Sequence, residues 1–190
     1  DKYVQTLYID ADDVMWAGTW GEGLYESKDG LSWNVVSDVS SANTINAVVP
    51  DYQGNMWVGE WNSGLLSFNN GKWTNYDGKQ IKLGDSTVTS IAPDAKNVIW
   101  IGTYHGLTSY DEVSGTGINY NINNSKLPDD DVYSLCVDTK DNVWVGTING
   151  LAKYNRRTWT VYRHMNTPEL PSNLILCLAC DRKGNIWIGT

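Results

Sequence analysis

Five Trp-x-Gly triplets recur along the chain: Trp16-Ala17-Gly18, Trp57-Val58-Gly59, Trp100-Ile101-Gly102, Trp144-Val145-Gly146 and Trp187-Ile188-Gly189. Successive Trp residues stand 41, 43, 44 and 43 positions apart. A period this regular means that each unit is one supersecondary element whose apolar faces only a neighbouring unit can cover. The repeat therefore dictates architecture, and function has to lie where the copies differ.

Aligned on Trp, each unit opens with an apolar-alternating stretch that ends in Asp six residues before the Trp: Val4 to Asp10, Ile45 to Asp51, Val88 to Asp94, Val132 to Asp138 and Ile175 to Asp181. A polar turn follows, with Gly-Asn in Gln53-Gly54-Asn55 and Lys183-Gly184-Asn185 and the related Lys140-Asp141-Asn142. Gly and Asn tolerate the positive φ of tight hairpins. The Trp strand carries apolar residues on both sides of the ring, as in Asn185-Ile186-Trp187-Ile188-Gly189, so both of its faces are expected to be buried. Gly-Leu and an aromatic three residues after the Leu mark a third strand (Gly64-Leu65 with Phe68, Gly106-Leu107 with Tyr110, Gly150-Leu151 with Tyr154). In unit one the aromatic has moved beside the Leu, at Tyr25. Trp33, Trp73 and Trp159 mark a fourth strand, with Ile118 and Tyr120 in the irregular third unit.

Four short antiparallel strands per repeat, without helical periodicity, predict an all-β chain built as a β-propeller. The expectation is a single domain over 1–190, with four-stranded blades at about 4–43, 44–87, 88–131 and 132–174 and the first two strands of a fifth at 175–190. The variable linkers Asp38 to Thr44, Gly78 to Thr87, Ser125 to Asp131 and His164 to Asn173 belong on the surface. With no initiator Met and a last residue inside a repeat, the chain reads as a piece of a larger propeller or as a small five-bladed ring. Unpaired strand edges would then invite a homodimer or pairing with further sequence.

Fourteen basic against twenty-two acidic residues give a formal charge of −8, which disfavours nucleic acid as a partner. No run approaches the ~18 apolar residues of a membrane helix, and no basic-then-apolar leader opens the chain. Membrane insertion by this segment is not expected.

Blocks of the form Asp-x-x-Gly-Asn-x-Trp-Ile-Gly-Thr followed by Gly-Leu-x-x-Tyr, most fully present from Asp138 to Tyr154 and again from Asp181 to Thr190, resemble the two-component regulator propeller repeat. The resemblance covers essentially the whole chain. It implies a propeller from the extracytoplasmic sensor region of a bacterial hybrid histidine kinase, commonly of about seven blades, whose face binds a ligand such as a glycan fragment. A periplasmic or extracellular location and a noncatalytic, ligand-binding role are what that resemblance implies. Any kinase would lie outside these residues.

The residue four positions after each motif Trp falls in the loop between the second and third strands: Trp20, Trp61, Tyr104 and Ile148. If neighbouring blades set these loops side by side, the three aromatics form a platform for a small molecule or oligosaccharide. The same rings could instead pack over the blade edge. Glu60, where the other copies have Thr, and His105 adjoin the platform and are candidates for polar contacts. Glu22 with Glu60, or with Asp12 or Asp13, are the carboxylates a glycosidase reading would need, but nothing in the sequence sets their separation. No catalytic residue, metal site or cofactor is assigned. Cys177 and Cys180 form an isolated Cys-x-x-Cys within a first strand, where core filling is the expected use. The repeated Asp is expected to cap its turn rather than to bind calcium.

Overall fold

A computed structural model of the chain describes residues 3–10, 12–37, 39, 43–76 and 78–190; part of the Asp38 to Thr44 linker lies outside the described residues. Each complete repeat is one four-stranded antiparallel sheet with its strands in sequence order. The first holds β1 (Val4–Ile9), β2 (Met15–Thr19), β3 (Leu24–Ser27) and β4 (Asn34–Val35). The second holds β5 (Ile45–Pro50), β6 (Met56–Glu60), β7 (Gly64–Asn69) and β8 (Lys72–Tyr76). The third is β9 (Val88–Pro93), β10 (Val98–Thr103), β11 (Gly106–Asp111) and β12 (Thr116–Tyr120), and the fourth β13 (Val132–Val137), β14 (Val143–Thr147), β15 (Gly150–Tyr154) and β16 (Trp159–Tyr162). β17 (Cys177–Cys180) and β18 (Ile186–Gly189) pair as a fifth, two-stranded sheet. The first strands β1, β5, β9, β13 and β17 follow one another, each packed on the next, which is the blade order of a propeller.

Each residue of the Trp-x-Gly signature has a physical reason. The indole N–H donates to the Asp six residues earlier, at 2.9 Å in Trp16–Asp10, Trp57–Asp51 and Trp144–Asp138, 2.7 Å in Trp100–Asp94 and 3.2 Å in Trp187–Asp181. The other carboxylate oxygen caps the turn: Asp51 Oδ1 accepts from the backbone N–H groups of Gln53 and Asn55 at 2.8 and 2.9 Å, and the other copies repeat the pattern. One side chain thus holds both the hairpin and the core Trp, which fixes the six-residue spacing. The Gly lets the next blade approach. A Cβ on Gly18 would stand 2.6 Å from Ile45 Cγ2, and one on Gly102 or Gly146 2.7 Å from Val132 Cγ1 or Ile175 Cγ2; on Gly59 it would collide with Val88. Ile45, Val88, Val132 and Ile175 are all fully buried there.

The core is accordingly a series of layers between consecutive sheets. Trp16, Ile45 and Val58 fill the first, Trp57, Val88 and Ile101 the second, Trp100, Val132 and Val145 the third, and Leu151 with Ile175 the fourth. Trp57 is completely buried between two sheets, whereas Trp187 is 63% exposed because among the described residues no further sheet packs on the outer face of the fifth. Leu7 and Ile9 are likewise exposed on the first sheet, so the blades form an open arc with an uncovered apolar face at each end. An apolar depression of 520 Å³ bounded by Val4, Leu7, Ala17, Thr19, Tyr25 and Trp33 is that first face.

One feature corrects an expectation from the sequence. Cys180 does not simply fill the core: it is disulfide-bonded to Cys136, tying β17 to β13, while Cys177 is an exposed free thiol. Adjacent first strands bring the two sulfurs together, a proximity that in-strand spacing could not reveal. In addition, every complete blade carries a register shift in its first strand, leaving Gln5, Asn46, Thr89 and Tyr133 as the extra residue of a β-bulge.

Candidate functional site

The loops joining second to third strands all lie at one end of the blades, because every sheet is a simple antiparallel meander. In three of them a Thr hydroxyl closes the loop by donating to a Gly carbonyl: Thr19 to Gly23 at 2.7 Å, Thr103 to Gly106 at 3.0 Å and Thr147 to Gly150 at 2.8 Å. In the first two loops the backbone is pinned on both flanks, and in the third on one. Trp20 N–H donates to Tyr3 O and Trp61 N–H to Thr44 O, both at 2.9 Å, while Gly23, Gly64 and Gly106 donate to Asn43, Ser86 and Asp130 of the following linker at 2.8–2.9 Å. Neighbouring loops are thereby held in a fixed relation.

That relation brings three of the sequence-selected residues together. Trp20 and Trp61 have ring centroids 6.3 Å apart, and Trp61 and Tyr104 5.9 Å apart. Tyr133, which sequence reasoning missed, continues the row at 5.9 Å from Tyr104. Trp20 and Trp61 are 61% and 40% exposed, and Tyr104 and Tyr133 are half-buried. Ile148 holds the equivalent loop position in the fourth blade and is exposed without extending the aromatics.

Tyr133 reaches the row from the bulge in β13. At the same position in β5 and β9, Asn46 and Thr89 reach across to the next blade, donating to Val88 O at 2.8 Å and to Val132 O at 2.6 Å. A bulge re-aims one side chain, and in the fourth blade that side chain is an aromatic turned towards Tyr104.

The polar candidates separate. His105 is exposed and its Nδ1 lies 2.8 Å from Asp85 Oδ2. Burial works against the charge on Asp85, but the Thr87 N–H and His105 outweigh it and hold the carboxyl below its ordinary value. Asp131 is raised by burial and by its neighbour Asp129. The Tyr104 phenol is pushed up by burial and by nearby Tyr133, Asp131 and Asp85, so it remains a donor at neutral pH. Glu60, by contrast, is withdrawn from the surface at 2% exposure, and its Oε1 accepts from Asn43 Nδ2 at 2.8 Å. Burial raises its pKa, with the Asn43 bond opposing. Glu60 takes the place of the loop-closing Thr and braces the linker beneath the row. Glu22 is exposed on the loop of the first blade. Asp12 and Asp13 sit in the β1–β2 turn, at the opposite end of the blade from Trp20. Among the described residues no three His, Cys, Asp or Glu side chains come together as a metal site, and no helix is long and apolar enough to cross a membrane.

An all-β arc of Trp-locked blades with aromatic loops aligned at one end defines the class, a repeat-built β-propeller. The sequence pattern described as two component regulator propeller matches residues 40–62, 82–105, 126–149 and 169–190, and the chain belongs to that repeat family. No curated protein matches the chain. Among solved structures, it is similar to an extracellular domain assigned to a hybrid two component system of B. thetaiotaomicron, with a TM-score of 0.83 at 21% identity over 99% of this chain and 26% of that one. It is also similar to a virginiamycin B lyase from Staphylococcus aureus (TM-score 0.73, 16% identity, 97% of this chain and 62% of that one) and to a gluconolactonase from Xanthomonas campestris (0.70, 10%, 98% and 68%). The chain thus spans about a quarter of the two-component domain's length. At these identities the likeness is one of fold.

Proposed function

We propose that this chain is a noncatalytic ligand-binding module of a sensor propeller, located outside the cytoplasm, which takes up an oligosaccharide on Trp20, Trp61 and Tyr104. The observation that carries the reading is the aromatic row itself: three loops of three successive blades put ring beside ring, with centroids 6.3 and 5.9 Å apart and the two indoles open to solvent. Such rings offer apolar faces to sugar C–H groups, while the Tyr104 phenol and His105 supply donors beside them. Location outside the cytoplasm is supported by the extracellular domain among the similar structures and by the Cys136–Cys180 disulfide, a bond that persists in oxidising compartments.

A hydrolase reading is less well supported, because paired catalytic carboxylates must face a common cleft and Glu60 is buried against Asn43. A scaffold reading draws on the uncovered faces at the two ends of the arc, where Leu7, Ile9 and Trp187 are exposed; sedimentation as a concentration-dependent dimer would favour it. The sensor reading is tested by binding wild type and Trp61→Ala to an immobilised polysaccharide panel while assaying for released products. Retention of at least one glycan, lost in the variant and without product, is expected. Retention unaffected by Trp61→Ala, or no retention at all, would count against it.

A further inference from the structure

The rings of the row are neighbours but not coplanar. The planes of Trp20 and Trp61 are inclined by 32°, those of Trp61 and Tyr104 by 73°, and those of Tyr104 and Tyr133 again by 73°. The backbone that carries the rings also differs from blade to blade: the first two loops are one residue longer than the third, running from Thr19 to Gly23 and from Glu60 to Gly64 but only from Thr103 to Gly106, and Tyr133 enters from a bulge. Backbone hydrogen bonds hold the points from which the rings spring, Trp20 N–H to Tyr3 O, Trp61 N–H to Thr44 O and Gly106 N–H to Asp130 O, and the rings take these inclinations from there.

A flat, two-fold glycan ribbon presents its apolar faces in one plane and needs coplanar rings to stack on. A row whose planes turn from blade to blade instead meets each successive sugar at a new angle, as a twisted or curved backbone requires. The charges point to an uncharged chain. Asp85 and Asp131 lie close enough to the Tyr104 phenol to perturb it, and His105 is engaged with Asp85. Lys79 and Lys82 border a depression that also contains Asp85, with Asn62 and Ser63. The chain as a whole carries −8, so a polyuronate would approach against the field.

Resting on the ligand-binding reading above, we infer that the row takes an uncharged glycan with a helically twisted or curved backbone, one sugar ring to each aromatic, in preference to a flat ribbon or a uronic acid polymer. Titration calorimetry of the protein with maltoheptaose, laminariheptaose, cellohexaose and an oligogalacturonate tests this. The expected result is binding of one of the first two at least tenfold tighter than cellohexaose, none to the oligogalacturonate, and a tenfold or greater loss in Trp20→Ala and in Trp61→Ala, both at exposed positions that leave the blade core intact. Cellohexaose or oligogalacturonate binding as tightly as the best of the others, with the same sensitivity to Trp61→Ala, would overturn the shape or charge inference and leave the ligand-binding reading standing. Failure of all four sugars to bind would overturn both.

Discussion

Replacing Asp94 by Ala removes the lock of one blade at its most buried copy. The carboxylate is fully buried and accepts from Lys96 N at 2.7 Å, Val98 N at 3.1 Å and Trp100 Nε1 at 2.7 Å, and it also pairs with Arg156 from the next blade. Hydrogen bonds to a charged group contribute roughly 1.5–3 kcal/mol each, and an orphaned buried donor costs about 1–3 kcal/mol. Arg156 keeps a second partner in Asp141 at 3.2 Å and its place over the Trp100 ring, so it is not stranded. The backbone donors sit in a surface turn that water can reach. A loss of about 4 kcal/mol follows, most of it from Trp100 and Arg156. The pH dependence has a definite sign. Burial opposes the charge on Asp94, yet Arg156 and Trp100 hold its pKa below the ordinary value. Its contribution is therefore present above the unfolded-state pKa and lost as the pH falls through the folded one. Urea denaturation of wild type and Asp94→Ala, at neutral pH and in acid, should show the gap narrowing in acid. Asp181→Ala, at the same motif position on the uncovered sheet, should lose far less. A loss below about 1 kcal/mol for Asp94→Ala, or equal losses at the two sites, would refute the lock as a source of stability.

Gly59→Ala should destabilise by about 1–3 kcal/mol through its collision with Val88 of the next blade, measurable as a lower urea midpoint. Cys136→Ser should cost about 4 kcal/mol on the chain-entropy relation for a bridge spanning 44 residues, and reductant should lower the wild type to the same level; thiol titration of the folded, oxidised protein should detect Cys177 alone. Glu60→Gln should raise stability at neutral pH, because a carboxyl whose pKa is raised by burial favours the neutral form, and the gain should vanish once acid protonates Glu60 in both states.

The repeat made most of the fold legible. Six residues from Asp to Trp announced a capped turn, and the strand patterns placed all four sheets and the two-stranded fifth. What the sequence withheld were relations between blades. The role of Gly59 becomes apparent only when Val88 is in place across the interface, and Cys136 and Cys180, eight and seven residues before their Trp, look out of step until β13 and β17 lie side by side. The candidate site divides in the same way. Counting four residues from each Trp isolated Trp20, Trp61 and Tyr104, because loop length is nearly conserved between units. Tyr133 escaped because it enters from a first strand; the available signal was one large aromatic where the other blades carry Gln5, Asn46 and Thr89. Glu60 was legible as an exception to Thr but not as a buried one, since its partner Asn43 comes from a linker of variable length.

The central claim is that the loop aromatics form the binding surface. Its most direct test is a crystal structure with a glycan selected by the panel. Sugar rings lying against Trp20, Trp61 and Tyr104 are predicted, with the chain running across successive blades. A glycan seated instead against Val4, Leu7 and Trp33 on the open face of the first sheet, with the row left bare, would contradict the account.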